Sequence, residues 1–80
     1  MVGREPTVSD AEILHEFVVS PDAVLTSTEV AEAVDMSRQG VASRFEQLAE
    51  DGFLKTKKVG AHARVWWITE RGREFYASNY

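Results

Sequence analysis

Residues 25–54 read LTSTEVAEAVDMSRQGVASRFEQLAEDGFL, and this stretch decides the fold. Thr26 is followed three residues later by a glutamate, which is the capping-box spacing that marks the start of a helix. Ser37 is a favoured N-cap for a second helix, and Gly52 is a favoured terminator for it. The stretch therefore predicts two helices joined by a three-residue turn, with the second helix over about residues 38–51.

This second helix is amphipathic. At about 100° per residue, its apolar side chains fall on one arc: Val41, Ala42, Phe45, Leu48 and Ala49. The opposite arc is centred on Gly40, Ser43 and Gln47 and is flanked by Gln39 and Arg44. All the acids of the helix lie in its C-terminal half, so its N-terminal half is polar or basic.

The segments before this stretch predict a first helix. Ser9 and Glu12 form another capping box, and apolar residues recur at helical spacing at Ile13, Leu14, Phe17 and Val18. Pro21 ends this helix, because proline disfavours helical backbone at the residue before it. We expect residues 1–8 to form a flexible lead and residues 9–78 to form one domain.

A β-hairpin is predicted after Gly52. Residues 53–59 form the first strand, residues 60–63 the turn and residues 64–69 the returning strand. Side chains alternate along a strand, so Trp66 and Ile68 share the face that we expect to point inward, and Trp67 lies on the other face. Thr69 is the expected N-cap of a final helix.

Composition excludes several classes of protein. The chain has no cysteine, which rules out disulfides and thiolate metal sites. It carries no P-loop, dinucleotide-binding or hydrolase motif, so we expect no enzyme activity and no cofactor. His15 and His62 lie on different elements, which argues against a metal site.

The sequence shows no sign of a membrane protein. The longest apolar run is far too short for a membrane span, and the N-terminus does not resemble a signal peptide, so we expect a cytoplasmic protein. We also expect no small-molecule site.

Charge is sorted along the chain. The net charge is −4, which taken alone argues against a polyanionic partner. Residues 1–35, however, hold one basic and eight acidic residues, whereas residues 36–80 hold eight basic and five acidic residues. No acid lies between Phe53 and Ile68. A local basic surface is therefore expected despite the acidic total.

The order of these elements resembles that of a winged helix-turn-helix domain. The resemblance rests on TSTEVA at residues 26–31, on VASRF at residues 41–45 with the DGFL that ends the stretch, and on WITERG at residues 67–72. The last motif is similar to the strand-to-helix junction of MarR-like and PadR-like regulators, and the whole is most similar to short haloarchaeal regulators. The implied fold is α+β, with a three-helix core, a β-hairpin wing and a C-terminal helix.

The resemblance implies a transcriptional regulator that binds double-stranded DNA, and we expect it to bind two half-sites as a homodimer. The helix at 38–51 would enter the major groove, and the wing at 55–64 would contact the backbone or minor groove. The residues expected to contact DNA are Ser37, Arg38, Gln39, Gly40, Ser43, Arg44, Gln47, Lys57, Lys58, His62 and Arg64. Arg44 has an alternative role, which is to pair with an acid such as Asp51.

Two further questions stay open at this level. The aromatic residues Trp67, Phe75, Tyr76 and Tyr80 are candidates for an interface, although Trp67 could equally pack beneath the terminal residues or be half covered. The alternative function is a winged-helix module that binds protein. An exposed aromatic patch and a recognition helix held in intramolecular salt bridges would favour that alternative, whereas a continuous basic surface would favour DNA.

Overall fold

The computed structural model describes residues 8–80, which form four helices and one hairpin. The elements are α1 (Asp10–Val19), α2 (Ser27–Val34), α3 (Arg38–Glu50), β1 (Leu54–Val59), β2 (Ala63–Ile68) and α4 (Glu70–Asn79). The predicted order and the α+β class are confirmed. The expected flexible lead lies outside the described residues except for Val8, which packs against the core.

The helix starts are set by local hydrogen bonds. The Ser9 hydroxyl accepts from the Glu12 amide at 3.1 Å, and the Glu12 carboxylate accepts from the Ser9 amide at 2.8 Å. Thr26 forms the same reciprocal box at the start of α2. The Ser37 hydroxyl accepts from the Gly40 amide at 3.0 Å and so caps α3. Each predicted cap is confirmed, because each depends only on residues three positions apart.

The turn between α2 and α3 depends on Asp35. This residue closes α2 in the left-handed region, with φ 59° and ψ 48°, and its amide donates to the Ala31 carbonyl. Aspartate tolerates this conformation better than most residues other than glycine. Met36 follows and packs half-buried against the core.

The core lies where α1, α2 and α3 meet the inner face of the hairpin. Phe45 is fully buried at its centre, with its ring centroid 5.4 Å from that of Phe17 and 5.0 Å from that of Trp66. Trp66 and Ile68 are buried, which confirms the predicted inward face. Full burial of each such side chain contributes about 1.5–3 kcal/mol.

The hairpin has an antiparallel register in which Leu54 pairs with Ile68 and Thr56 pairs with Trp66. The first strand begins one residue later than predicted and ends at the predicted residue, and the second begins and ends one residue earlier than predicted. A single bridge joins Leu25 to Trp66 through two backbone hydrogen bonds of 2.9 Å, so the end of the segment before α2 lies along β2. This bridge ties the start of α2 to the base of the hairpin.

Phe53 was expected in the first strand and lies outside it. Its ring stacks on Phe75 of α4 with centroids 4.5 Å apart, and its carbonyl accepts from the Thr69 amide at 3.0 Å. Gly52 precedes it with φ 85°, a conformation that favours glycine. The chain therefore turns out of α3 at Gly52 and meets the start of α4 before the hairpin begins.

Candidate nucleic-acid interface

A groove of about 620 Å³ runs between α3 and the hairpin. It brings together the first turn of α3, the first turn of α2 and the returning strand of the hairpin. Its lining residues are Thr26, Ser27, Thr28, Arg38, Gln39, Ala42, Glu46, His62, Ala63, Arg64 and Trp66. Four of the residues predicted to contact DNA, from two separate elements, therefore share this surface: Arg38, Gln39, His62 and Arg64.

The N-terminal turn of α3 presents Arg38 and Gln39 to solvent. Both side chains are exposed, and no salt bridge from any residue between 8 and 80 reaches Arg38. The Ser37 hydroxyl, by contrast, is occupied in capping the helix. This turn therefore offers one guanidinium and one amide whose hydrogen-bonding groups are available to a ligand.

Gly40 is half-buried in the capped first turn of α3. A Cβ at this position would lie 3.0 Å from Ser37 Oγ and 3.4 Å from Met36 Cε. Both are side-chain atoms, and the same position beside the Ser9 and Thr26 caps holds a glutamate, so the space around Gly40 does not by itself require glycine. Glycine inside a helix costs about 1 kcal/mol relative to alanine. Contact of DNA with the Gly40 backbone stays a prediction.

The face of α3 that lines the groove differs from the predicted arc. The lining residues of α3 are Arg38, Gln39, Ala42 and Glu46, whereas the predicted arc was centred on Gly40, Ser43 and Gln47. Ser43 and Gln47 are exposed but lie outside the groove. The hairpin, which packs through Trp66 on Phe45, covers one flank of α3, and this tertiary contact sets which exposed side chains share the groove.

Several groove residues were not predicted. Ala42 was assigned to the core, and it is half-buried at the floor of the groove. Glu46 was not predicted to contact DNA, because it is an acid in the C-terminal half of the helix. Thr26, Ser27 and Thr28 belong to the preceding helix and its cap. The spacing of Gln39, Ala42 and Glu46, at positions i, i+3 and i+7, was a signal for a shared helical stripe.

Arg44 points away from this groove. Its Nη2 lies 2.6 Å from Asp10 Oδ1, so the side chain joins α3 to the first turn of α1. Of the two roles considered for Arg44, the structure shows the ion pair with an acid, and the partner is Asp10 and not Asp51. The side chains of Arg44 and Asp10 are 24% and 42% exposed, which places the pair at the surface.

The two faces of the hairpin carry different lysines. Cross-strand partners lie on one face of a sheet, and Lys58 pairs with Arg64 whereas Lys57 pairs with Val65. Arg64 lines the groove, so the Lys58–Arg64 pair extends the face that looks toward α3. Lys57 lies on the opposite face.

Arg64 is placed by an aromatic ring. Its guanidinium carbon lies 6.0 Å from the centroid of the Trp66 ring, at the outer limit of a cation–π contact. The buried Trp66 thereby supports an exposed cation at the mouth of the groove. His62, one residue outside β2, is exposed at the hairpin tip.

The candidate interface aromatics have partners within the chain. Phe75 stacks on Phe53, while the Tyr76 hydroxyl lies 2.7 Å from His15 Nδ1 and the Tyr80 ring stacks on His15 at 4.3 Å. Trp67 is half-buried beside a separate groove formed by the end of α1, the following loop and α4. An interface role for these residues stays a prediction.

A family model described as winged helix-turn-helix DNA-binding matches residues 9–55, which is more than half of the chain. The chain belongs to this family. The winged helix expected from the sequence is confirmed, and residues 54–68 form its wing. No curated protein matches the chain.

Solved structures of transcriptional regulators share the winged-helix fold. The PcaV regulator of Streptomyces coelicolor superposes with a TM-score of 0.77 at 23% identity, over 96% of this chain and 55% of its own. Oxidised MarR of E. coli superposes with a TM-score of 0.73 at 12% identity, over 86% of this chain and 48% of its own. A possible transcriptional regulator of Methanosarcina mazei superposes with a TM-score of 0.69 at 14% identity, over 88% of this chain and 62% of its own. The chain thus spans about half the length of the first two regulators.

No helix within residues 8–80 is long and apolar enough to cross a bilayer.

Proposed function

We propose that this winged-helix protein binds double-stranded DNA in a sequence-specific manner and regulates transcription. The observation that carries the proposal is the groove in which Arg38 and Gln39 of α3 face His62 and Arg64 of the wing. A helix with polar donors at its N-terminal turn, flanked by a basic hairpin, matches the docking geometry of helix-turn-helix proteins. Membership of a DNA-binding family supports the same reading.

The first turn of α3 would supply sequence preference. An arginine can donate two hydrogen bonds to O6 and N7 of guanine, and a glutamine can pair with N6 and N7 of adenine. Arg38 and Gln39 are exposed and adjacent, so each could meet a base edge in the major groove. Ser43 and Gln47, exposed further along the helix, would contact neighbouring bases or phosphates.

The wing would supply affinity. Lys58 and Arg64 lie opposite each other on the face toward α3, and His62 stands at the tip. Contacts of such side chains with phosphates release counterions from DNA and make binding dependent on salt. Lys57 would reach the backbone only from the outer face of the hairpin.

The acidic total does not conflict with this proposal. Seven of the eight acids among residues 1–35 belong to the described part of the chain, on or near α1 and α2. The strands and turn of the hairpin hold Lys55, Lys57, Lys58 and Arg64 and no acid. Electrostatic attraction to DNA depends on the local field near the contact surface more than on net charge.

We further propose that the protein acts as a homodimer and comes from an archaeon. Two half-sites give a small domain usable specificity, and aromatic residues of α4 together with Trp67 would contribute to the contact between protomers. The resemblance of the sequence to short haloarchaeal regulators supports the archaeal source.

A protein-binding adaptor is the alternative function. The salt bridge between Arg44 and Asp10 favours it, because it removes one cation of α3 from any DNA surface. The groove beside Trp67, of about 390 Å³, would be the corresponding contact site. The groove shared by α3 and the wing favours DNA over this alternative.

The test is a titration of the protein against duplex DNA at two salt concentrations. Wild-type protein should bind random genomic duplexes weakly and with strong salt dependence, and should bind a selected sequence more tightly. Arg38→Ala should mainly relax base preference at one position, at a cost of about 1–3 kcal/mol on the preferred site. An absence of salt-dependent binding to any duplex would reject DNA binding and leave the adaptor.

A further inference from the structure

Glu46 is an acid on the surface that we propose meets DNA. It lies in the third turn of α3 and lines the same groove as Gln39 and Arg64. Its side chain is exposed, and no salt bridge reaches it from any residue between 8 and 80. The groove therefore holds a free carboxylate between basic side chains.

A carboxylate at a DNA surface is unfavourable unless a donor meets it. The DNA phosphates repel its negative charge. A carboxylate buried at the interface also loses its hydrogen bonds to water, which costs free energy unless a donor on the DNA replaces them. In the major groove the bases offer only two donors, the N4 amino group of cytosine and the N6 amino group of adenine. The adenine amino group lies between two acceptors, its own N7 and the O4 of the paired thymine, which both repel a carboxylate. The cytosine amino group has one neighbouring acceptor, the O6 of the paired guanine, and a C5–H group on its other side.

Guanine and thymine offer no compensating contact. Guanine presents the acceptors N7 and O6, and thymine presents the acceptor O4 beside a methyl group. A carboxylate placed against either base would face an acceptor at close range. Discrimination by an acid is therefore strong against these two bases.

We infer that Glu46 selects cytosine in the target sequence by accepting a hydrogen bond from its N4 amino group. The inference rests on the proposed DNA binding. Gln39 and Glu46 are seven residues apart, or about 10 Å along a helix that rises 1.5 Å per residue. Since base pairs are spaced by 3.4 Å, the selected cytosine lies within about three base pairs of the base contacted by Gln39.

A different explanation is that Glu46 only weakens non-specific binding by repelling phosphates. That role predicts equal effects on every duplex, because phosphates carry no sequence information. The cytosine contact predicts an effect confined to one position. The two explanations are therefore separable by measuring base preference position by position.

The experiment selects bound sequences from a pool of randomised duplexes with wild-type protein, Gln39→Ala, Glu46→Gln and Glu50→Gln. Glu50 is the matched control, since it is exposed on the same helix one turn further on and lies outside the groove. Gln39→Ala identifies the position contacted by Gln39. Thermal unfolding of each variant checks the fold.

Wild type should prefer cytosine by about tenfold at one position, within about three base pairs of the position that Gln39→Ala relaxes. Glu46→Gln should abolish that preference and admit adenine there, because a glutamine amide pairs with adenine, while the other positions keep their preferences. Glu50→Gln should leave every preference unchanged.

Three results would overturn the inference. A selected sequence without cytosine at that distance would do so, as would a Glu46→Gln variant that binds all duplexes more tightly with unchanged preferences. Both leave the proposed DNA binding intact. Failure of wild type to bind any duplex would reject the proposed function together with the inference.

Discussion

Arg44 of α3 and Asp10 of α1 form a salt bridge of 2.6 Å. The two residues are 34 positions apart, so the contact exists only in the folded chain. It joins one side of α3 to the first turn of α1. Arg38 is then the exposed arginine at the start of α3. A basic residue predicted to contact DNA is thus engaged within the protein.

Asp10→Asn should raise affinity for duplex DNA by a small factor at low salt. The substitution releases Arg44 from its partner, so the guanidinium adds one positive charge to the surface of α3. The loss of stability should be at most about 1 kcal/mol, because exposed salt bridges contribute little. Binding titrations at two salt concentrations and thermal unfolding measure the two effects.

Asp22→Asn is the control for this change, since Asp22 is exposed in the loop after α1 and forms no salt bridge with any residue between 8 and 80. It removes the same charge without releasing an arginine. Equal gains in affinity for Asp10→Asn and Asp22→Asn would show that only net charge matters. Arg44→Ala should affect binding less than Arg38→Ala.

The two faces of the hairpin should differ in their contribution to DNA binding. Lys58 lies opposite Arg64 on the face toward α3, whereas Lys55 lies opposite Trp67 on the other face. Lys58→Ala should weaken binding to all duplexes and lower the slope of log affinity against log salt by about one. Lys55→Ala should change the slope much less, although it removes the same charge.

Affinities measured at three or more salt concentrations give both slopes. If the two lysines changed the slope equally, the DNA would not distinguish the faces, and the placement of the wing in the proposed complex would be wrong. If neither changed it, the hairpin would make no phosphate contact. Both variants should unfold at the temperature of the wild type, because both side chains are exposed.

Features that depend on near neighbours in sequence were predictable. The capping residues Ser9, Thr26 and Ser37 act on amides three positions away. The spacing to a glutamate identified the first two helix starts, and residue type identified the third. The inward face of β2 followed from alternation and from the cap at Thr69. These signals are local, and tertiary packing did not override them.

Features that depend on tertiary packing were not predictable. The partner of Arg44 belongs to α1, and the face of α3 that lines the groove is set by the contact of Trp66 with Phe45. A helical wheel shows which side chains are exposed but not which of them the hairpin flanks. The sequence therefore did not identify Glu46 as a groove residue, although it lies on the same face of α3 as Gln39.

Thr69 should contribute to stability through two hydrogen bonds. Its hydroxyl donates to the Gly52 carbonyl at 2.6 Å and accepts from the Gly72 amide at 3.0 Å, so it caps α4 and ties it to the end of α3. Thr69→Val should destabilise the protein by about 1–2 kcal/mol, since it removes the cap and leaves the carbonyl without this donor. Chemical denaturation measures the change.

Thr69→Ser is the matched variant, because it keeps the hydroxyl and removes only a methyl group. It should retain most of the stability that Thr69→Val loses. Equal losses in the two variants would mean that packing of the Thr69 methyl group, and not its hydrogen bonds, stabilises the junction.

Gly72 should be intolerant of any side chain. It is buried where α4 crosses the segment before β1, and a Cβ there would collide with the Phe53 carbonyl oxygen and lie 2.8 Å from Ile68 Cγ1. Backbone cannot give way as a flexible side chain can, so Gly72→Ala should cost about 1–3 kcal/mol despite the better helix propensity of alanine.

Gly40→Ala is the comparison, because its Cβ would meet only side-chain atoms of Ser37 and Met36. Thermal unfolding should show a melting temperature lower by about 4–8 °C per kcal/mol for Gly72→Ala. The decrease should be smaller for Gly40→Ala. A larger decrease for Gly40→Ala than for Gly72→Ala would show that α4 does not pack this closely on Phe53.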